Sequence, residues 1–533
     1  MKKYIIAILI LATAGSGCKK TFLSELAVNP NTPAVATPAL LLAGALKTTA
    51  DLVAPGSSRV TRLTIYGFYS GYLSWSTGTQ PDQAVYQYIY TTSTFDFFTP
   101  IYANLASYDN IIKSTTDPYY TAIAKIMKVY MFQTLVDNYN DVPYSQALQG
   151  ATNLTPVYDS GSSIYDDLMK QLDAAIVLIT NAPATVNAPG TSDIVYGANK
   201  TTEMGNWKIF ANTLKLKLAI RQSNVAAKAA ALKTAVQATA AIGYINVAVP
   251  TNTSGNLVVG AEANVQPGYA NINGQQSPID QAVGFTQTGG VSGSGATYFA
   301  NSYYVNKLIG AGTPYAPDDV RLFQVYAQST SATTAPIVNA AVGKIEATAL
   351  GQTAPPQELN NAGTALVGVN QSKYSAFILN PVKSSPIFTA AESLFLQAEA
   401  AKSGLITGIP ATLYNAGVTA SFIDFGLTAT AATTYLAKPA YAYPAAGSDD
   451  VQESAIIYQK WVALNPANYF EAFNEYRRTG YPDLPRSIFP AATGTTQPAR
   501  IPYPLTEYNT NAANVAKAGV ADTFTGRIFW AKP

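Results

Sequence analysis

The stretch TAAESLFLQAEAAKSG, residues 389–404, contains the signals for the start, the body and the end of one helix. Thr389 and Glu392 stand in the register of a capping box, in which the two side chains bond free amide groups of the first turn. Gly404 follows the last apolar residues, at a place where helices commonly end. The stretch therefore predicts a helix that begins after Thr389 and ends before Gly404.

Five other segments place apolar residues at the three- and four-residue steps of a helix face. They are PYYTAIAKIMKVYMFQTLVDNY (118–139), SSIYDDLMKQLDAAIVLI (162–179), NWKIFANTLKLKLAIR (206–221), ESAIIYQKWVAL (453–464) and NYFEAFNEYRRTG (468–480). Short connections pair neighbouring segments: 95–116 with 118–138, 388–403 with 412–424, and 453–464 with 468–478. Such helical hairpins are typical of tetratricopeptide-like stacks, although the consensus residues of that repeat are not visible. The sequence predicts a mainly α protein.

Four stretches have a different character: 181–204, 245–300, 327–372 and 427–450. They are rich in Gly, Ala, Thr, Asn and Pro, carry few charges and lack a helical period, which indicates long loops with some short strands. Insertions of this length in a compact protein are commonly binding loops.

The first twenty residues, MKKYIIAILILATAGSGCKK, have the order of an export signal: two lysines, an apolar run of about eleven residues, then small residues. The run is too short to span a bilayer as a helix. We predict that residues 1–17 are a lipoprotein signal peptide and that Cys18 is the acylated residue. The alternative is a plain secretory signal with an incidental Cys18, which has no other cysteine to pair with.

The composition excludes several kinds of chemistry. The chain of 533 residues has no histidine and a single cysteine, which removes Ser–His–Asp catalysis, His-ligated zinc and cysteine nucleophiles. Two possibilities remain: catalysis by a pair of carboxyl groups, as in glycosidases, or no catalysis at all. Loss of the leader takes two lysines and leaves basic and acidic residues in balance, so no electrostatic footprint of nucleic-acid binding exists. No second apolar run is long enough for a membrane span, so attachment would rest on the lipid.

Three loop segments have the composition of a sugar site, because sugars bind flat aromatic faces and amide or carboxyl groups. The candidate ligand-binding residues are Tyr72, Trp75, Gln80 and Asp82 in YLSWSTGTQPDQ, Tyr269, Asn271, Asn273 and Gln275 in QPGYANINGQQ, and Tyr298 and Phe299 in GATYFANSYY. Two alternatives stay open: Trp75 as a core residue at a helix end, and the second segment as an ordinary surface turn. The preceding GGVSGSG lacks the Lys-Ser/Thr ending of a phosphate loop.

Six ordered motifs resemble the SusD-like, or RagB-like, nutrient-binding lipoproteins of the Bacteroidetes outer membrane, in a subgroup apart from the starch-binding founder. They are LAVNPNTPAVATPALLLAGAL (26–46), LVDNYNDVPYSQAL (135–148), NWKIFANTLKLKLAIR (206–221), PIFTAAESLFLQAEAAKSG (386–404), YQKWVALNPANYFEAFNEYRRTGYPDL (458–484) and PARIPYPLTEYNTN (498–511). Each motif alone is weak, but the ordered set covers nearly the whole chain.

The resemblance implies one domain over residues 18–533. Its scaffold would be a right-handed superhelix of about four tetratricopeptide-like helix pairs, at roughly 38–244 and 386–480. A long-loop ligand-binding lobe would occupy roughly 245–385, followed by an irregular C-terminal segment at 481–533.

The resemblance also implies a role and a place. The protein would be lipid-anchored at the outer membrane and exposed at the cell surface, where it captures an oligosaccharide. It would deliver this cargo to a TonB-dependent transporter of the SusC type, for which it is the lid. Lys19 and Lys20 depart from the acidic surface-export signals of some members, which leaves the periplasmic face open as well.

We expect a binding protein with no catalytic residue, cofactor or metal. The alternatives are the same role with peptide cargo, a carboxylate-based glycosidase, and a helical adaptor that only plugs the transporter. The charged motif residues are not site candidates: we predict that they form an Arg–Glu network that ties helix ends together. These residues are Glu392, Glu399, Glu471, Arg477 and Arg478.

Overall fold

The computed structural model describes most of the chain after the leader. The described residues are 36–56, 63–75, 82–199, 201–247, 259–284, 298–328, 345–352, 357–359, 366–368, 371–519 and 522–532. The predicted signal peptide and Cys18 lie outside them. Within the described ranges, no helix combines the length and the apolar character needed to cross a membrane.

Helices dominate the described structure, as the apolar spacing predicts. They are α1 Pro38–Val53, α2 Ile65–Tyr69, α3 Gln83–Tyr86, α4 Phe98–Ser114, α5 Pro118–Tyr139, α6 Gly161–Thr180, α7 Glu203–Arg221, α8 Ala229–Ala238, α9 Pro278–Val283, α10 Ser302–Ile309, α11 Leu322–Val325, α12 Ala390–Lys402, α13 Pro410–Asp424, α14 Ala429–Leu436, α15 Asp449–Ala463, α16 Tyr469–Thr479, α17 Leu505–Thr510 and α18 Ala512–Ala518. Short 3₁₀ turns lie at Gly150–Thr152, Gly190–Ser192, Ala226–Lys228 and Ala240–Ile242.

The three predicted helix pairs are confirmed as α4 with α5, α12 with α13, and α15 with α16, and the members of each pair pack together. Helix α6 continues the stack from α5 to α7, and α7 contacts α12. The N-terminal helices and the later helices thus form one continuous scaffold.

The capping residues explain where the helices begin and end. The Thr389 hydroxyl accepts a hydrogen bond from the Glu392 amide at 3.1 Å, so α12 begins where the capping box predicts. Asn468 caps α16 in the same way, at 3.1 Å from the Glu471 amide. Helix α16 ends at Gly480, whose φ of +83° places it in the left-handed region that glycine tolerates best.

Short antiparallel strand pairs occupy the segments between the helices. The strands are β1 Leu73–Trp75, β2 Val142–Pro143, β3 Tyr158–Asp159, β4 Asn246–Val247, β5 Val259–Gly260, β6 Ala263–Val265, β7 Tyr298–Ala300, β8 Gln357–Leu359, β9 Leu366–Gly368 and β10 Ser385–Phe388. They pair as β1 with β7, β2 with β3, β4 with β5, β6 with β10 and β8 with β9. Strand β1 lies within the predicted scaffold segment 38–244, yet its partner β7 lies in the predicted lobe.

The prediction of a helix-free loop at 427–450 is wrong. Helix α14 forms there, and Thr428 caps it by accepting a hydrogen bond from the Ala431 amide at 3.2 Å. Ala432 and Tyr435 are its buried residues. Only two residues form the buried side of α14, so its sequence shows no clear apolar periodicity within a segment rich in Ala and Thr. Helix α9 is likewise a short helix inside a predicted loop.

The predicted Arg–Glu network is confirmed, and it also includes lysines. Arg478 donates to Glu399 at 2.5 Å and to Glu475 at 2.5 Å, and Lys460 lies 2.7 Å from Glu475. All of these side chains are buried. The ion pairs join α12, α15 and α16 to one another.

A second part of the same network crosses to α7. Lys217 lies 2.9 Å from Glu392 and 3.0 Å from Glu471, and Arg221 is also paired with Glu471. Arg477 instead donates to the main-chain oxygen of Asp137 at 2.6 Å. The network thus connects the two halves of the scaffold at their buried faces.

Candidate ligand-binding site

The β1–β7 ribbon brings together two of the three predicted ligand-binding segments. Its antiparallel register sets Trp75 opposite Tyr298 and Ser74 opposite Phe299. Because facing residues of an antiparallel pair point to the same side, the ribbon has one face with Trp75 and Tyr298 and another with Ser74 and Phe299. The two faces have different environments.

The first face is part of the aromatic core. The Trp75 and Tyr298 rings lie 5.8 Å apart, and Phe68 lies 6.0 Å from Trp75 and 5.3 Å from Tyr298. Trp75 is 7% exposed and Tyr298 is 3% exposed. In this conformation a ligand has no access to either aromatic face, so the interpretation of Trp75 as a core residue fits better, although it lies on a strand and not at a helix end.

Tyr72, just before β1, is also a core residue and not a surface contact. Its hydroxyl donates to the Trp461 main-chain oxygen at 2.5 Å, and the two rings are stacked 5.4 Å apart. Its side chain is fully buried. The expectation that Tyr72 contacts a ligand is therefore corrected by its packing under α15.

The second face is buried at Ser74 and reaches the surface at Phe299. Phe299 is half-buried, and the Lys373 ammonium lies 5.3 Å from its ring centroid. Beside them, the Gln371 amide donates to the Thr348 hydroxyl at 2.6 Å, and that hydroxyl donates to Ser74 at 2.9 Å. Burial lowers the pKa of Lys373. Phe299, Lys373 and Gln371, which we name the ribbon patch, offer an aromatic ring, a cationic donor and an amide at one place.

The segment around Tyr269 forms a separate turn. The Ala270 main-chain amide donates to the Gln275 main-chain oxygen at 2.9 Å, which closes the turn. Asn271, Asn273 and Gln275 are exposed, whereas Tyr269 is buried. Among the described residues, no hydrogen bond or ring contact joins this turn to the β1–β7 ribbon. The amide side chains of the turn are thus accessible to a ligand. The ring of Tyr269 is buried, so a sugar cannot stack on it.

Asp82 has a structural task. Its carboxylate accepts hydrogen bonds from the Ala84 amide at 2.9 Å and the Val85 amide at 3.2 Å, and so caps α3. Gln80 lies outside the described residues. The four candidates of the first segment therefore include two core residues, one helix cap and one residue that the structure does not describe.

Sequence reasoning missed one exposed aromatic residue, Tyr315, which is 51% exposed. It lies in a tight turn in which Thr313 and Ala316 exchange two main-chain hydrogen bonds of 3.0 Å. Asp318 braces the same loop: it accepts from the Ala311 amide at 2.9 Å and pairs with Lys438 at 2.8 Å. The signal in the sequence was the flanking of Tyr315 by prolines, TPYAP, because proline turns lie at the surface.

Comparison with known proteins decides the family. The chain matches the SusD-like family, described as starch-binding and associating with the outer membrane, over residues 30–504. The chain belongs to the SusD-like family. The resemblance drawn from the six motifs is therefore confirmed, and so is the expectation of a binding protein rather than an enzyme. The membership also makes this SusD-like protein one that is associated with the outer membrane.

Solved structures of SusD homologues share the fold. An outer-membrane protein from Bacteroides vulgatus, described as involved in nutrient binding, is 23% identical, with 93% of this chain and 100% of that chain covered and a TM-score of 0.69. A SusD homologue from Bacteroides uniformis is 21% identical over 92% of this chain and 99% of that chain, with a TM-score of 0.69. A chitin-binding SusD homologue from Flavobacterium johnsoniae is 22% identical over 92% and 98%, with a TM-score of 0.68.

The likeness to these structures confirms the predicted mainly α, superhelical SusD-like fold. At this level of identity it concerns the fold alone. No match was found among curated proteins. The ligand of this SusD-like protein therefore has to be inferred from its own exposed side chains.

Proposed function

We propose that this protein is a lipid-anchored outer-membrane lipoprotein that captures an oligosaccharide at the cell surface and delivers it to a SusC-type, TonB-dependent transporter as its lid. The observation that carries the proposal is the family match over residues 30–504, to proteins described as starch-binding and associating with the outer membrane. The scaffold would face the transporter, and the strand-rich lobe would face the cargo.

The ribbon patch supports the oligosaccharide assignment. A sugar ring presents C–H groups on its faces and hydroxyl groups at its edge, so it needs an aromatic face beside polar donors. Phe299 provides the ring, and the Lys373 ammonium, which lies over one face of it, provides a donor. The Gln371 amide nitrogen already donates to Thr348 and Ser74, so Gln371 contributes its amide oxygen as an acceptor. The patch is open, so each contact competes with water, and we expect modest affinity per sugar unit. Tyr315 and the amide side chains of the turn at 269–275 are further exposed groups in the predicted lobe.

The experiment that tests the proposal is a binding panel on the mature protein without Cys18. Affinity gels and calorimetry would compare starch, chitin oligosaccharides, other polysaccharides and peptide digests. Chitin belongs in the panel because a Flavobacterium johnsoniae homologue is described as chitin-binding. Binding to one glycan class supports the proposal, whereas binding to peptides alone changes the cargo. Tight transporter binding with no response to any ligand would indicate a structural adaptor.

The ribbon patch makes a specific prediction. Replacement of Phe299 by alanine is expected to weaken binding of the glycan found in the panel by about three- to ten-fold, which is the contribution of one aromatic contact. Calorimetry with the same glycan measures it, and a thermal scan checks that the variant is folded. The control is Ile409→Ala, which truncates an exposed apolar side chain at the start of α13. Equal affinity of the two variants would remove Phe299 from the site.

The lipid anchor is tested separately. Replacement of Cys18 by alanine is expected to move the protein from the membrane fraction to the soluble fraction, because attachment is proposed to rest on the lipid and no helix of the described residues is long and apolar enough to cross a membrane. Cell fractionation with detection by antibody measures the change. Ser16→Ala is the matched control, since it keeps a small residue before the cleavage point and leaves Cys18 in place. A Cys18→Ala protein that stays on the membrane would show that the attachment is not the lipid.

A further inference from the structure

A cavity of about 180 Å³ opens where the lobe meets the scaffold. Its wall is formed by the chain just after α1, by β6 and β10, by the start of α9, by the end of α13 and by the loop after α15. The polar lining residues include Glu262, Asn264, Ser277, Lys383 and Asp424. Four prolines and Phe425 add apolar surface. This lining combines charges, hydrogen-bonding groups and flat apolar surface, which is typical of a small-molecule site.

Glu262 is held in a fixed position. One of its carboxylate oxygens accepts a hydrogen bond from the Ala390 amide at 2.7 Å, at the start of α12. The other accepts from the Asn264 amide group at 3.3 Å. The helix start favours a negative charge at this point. Glu262 therefore has a structural partner on α12 and still lines the cavity.

Asp424 has no such support. It is the last residue of α13, and a carboxylate at a helix C-terminus is disfavoured by the partial negative charge of the free carbonyl groups. Within the described part of the chain its carboxyl group has no hydrogen-bond partner or ion pair. Burial raises the pKa of Asp424 well above its ordinary value, and the charge of Glu262 raises it further, while Lys383 acts in the opposite direction.

Lys383 can neutralise only one of the two carboxylates, Glu262 and Asp424. Its ammonium lies 4.1 Å from the centroid of the Phe377 ring and, among the described residues, within ion-pair distance of no carboxylate. Burial lowers its pKa. Burial thus disfavours the charged form of all three groups, since it also raises the pKa of Glu262. A cation that enters the cavity favours the ionised carboxylates, and Glu262 and Asp424 then supply two negative charges against the one positive charge of Lys383. The uncompensated charge equals that of one monovalent cationic group.

We propose that this cavity binds a small ligand through one protonated primary amine, which the carboxyl groups of Glu262 and Asp424 accept. An ammonium group supplies three hydrogen-bond donors, and the two carboxylates supply the acceptors. Lys383 and the amide group of Asn264 then face oxygen atoms of the same ligand. A divalent metal ion fits less well, since it takes six or more oxygen ligands and the described residues form no cluster of three metal-binding side chains.

The size of the cavity limits the ligand. A volume of about 180 Å³ corresponds to about six water molecules at about 30 Å³ each, which suits a single amino sugar or the N-terminal residue of a peptide. Both sources present the same ammonium group beside oxygen acceptors. This site is distinct from the ribbon patch, so its test does not depend on glycan capture at Phe299.

The experiment compares amines with their neutral analogues. Calorimetric or ligand-observed NMR titrations of the mature protein would use glucosamine, N-acetylglucosamine and glucose, and triglycine with its N-acetylated form. We expect one free amine to bind and its acetylated partner to bind about ten-fold more weakly or worse, since a hydrogen-bonded charge is lost. Binding of triglycine but not glucosamine would assign the site to peptides. Equal binding of the free and acetylated forms, or binding of neither, would overturn the proposal.

Two variants assign the effect to the cavity. Asp424→Asn keeps the shape of the side chain and is expected to weaken amine binding by about ten-fold. Lys383→Met removes a positive charge that repels the ligand ammonium, and it is expected to strengthen amine binding. A variant that only disturbed the structure of the cavity would not strengthen binding. The control is Asp166→Asn, which removes an exposed carboxylate on α6 that pairs with Lys228. An Asp424→Asn protein that melts like the native one and binds the amine equally well would also overturn the proposal.

Discussion

Replacement of Arg478 by methionine is expected to lower the free energy of unfolding by about 3–5 kcal/mol, because it removes one partner from a buried ion-pair network. The Arg478 guanidinium lies 2.5 Å from Glu399 and 2.5 Å from Glu475, and its side chain has no exposed surface. Methionine preserves most of the packing volume, so the loss comes from the charge. Glu475 keeps Lys460 at 2.7 Å, while Glu399 loses the close cationic partner that it has in the described structure.

The effect is expected to depend on pH. Although burial opposes it, the charges of Arg478 and Lys460 hold the pKa of Glu475 well below its ordinary value. A carboxyl group with a depressed folded-state pKa stabilises the fold above its unfolded pKa of about 4.3, and this contribution is lost as the pH falls through the folded-state value. The difference between the native protein and Arg478→Met should therefore be largest at neutral pH and should shrink below about pH 4.

Urea unfolding at several pH values measures both the size and the pH dependence. The matched control is Lys113→Met, which removes an equally close partner, 2.6 Å from Asp109, from a pair whose lysine is 61% exposed. We expect that control to cost less than about 1 kcal/mol, because water screens exposed ion pairs. If Arg478→Met costs no more than the control, the network is not a source of stability.

The helices and the ionic network could be predicted from the sequence because their signals are local. The Thr389 cap, the Gly480 stop and the apolar spacing of α6 each act within one or two turns. The charged residues of α12 and α16 stand among apolar neighbours on helices with a large buried surface. Because a buried charge needs an opposite charge beside it, ion pairs between them could be expected. Helix α14 was missed because two residues carry its buried side.

The candidate site could be predicted only in part, because burial in loops is decided by distant residues. The sequence of β1 alternates between apolar and polar residues, but all three side chains are buried, so the alternation does not separate an exposed face from a buried one. Pairing with β7, which lies in another part of the sequence, places Phe299 at the surface and Tyr298 in the core. The cavity lined by Glu262, Lys383 and Asp424 could not be predicted for the same reason, because these three residues come from separate segments.

Replacement of Trp75 by alanine is expected to lower the free energy of unfolding by about 3–5 kcal/mol, as is typical for truncation of a buried tryptophan. The indole is 7% exposed and packs against Phe68 and Tyr298. Its removal leaves a cavity beneath the β1–β7 ribbon that these two rings fill only partly. Trp75→Phe, which retains an aromatic ring at this position, should recover part of the loss.

The same variant separates a core role from a ligand contact on one strand pair. Trp75→Ala, assayed well below its unfolding midpoint, should bind the glycan nearly as well as the native protein, whereas Phe299→Ala on the opposite face should bind it more weakly at nearly native stability. Urea unfolding and calorimetry on the two variants give the four values required. The reverse pattern, with native stability and lost binding for Trp75→Ala, would mean that the ribbon turns its tryptophan outward to meet the ligand. Since Tyr298 shares that face, Tyr298→Ala should then behave in the same way, so the pair of variants distinguishes a turning ribbon from a single displaced side chain.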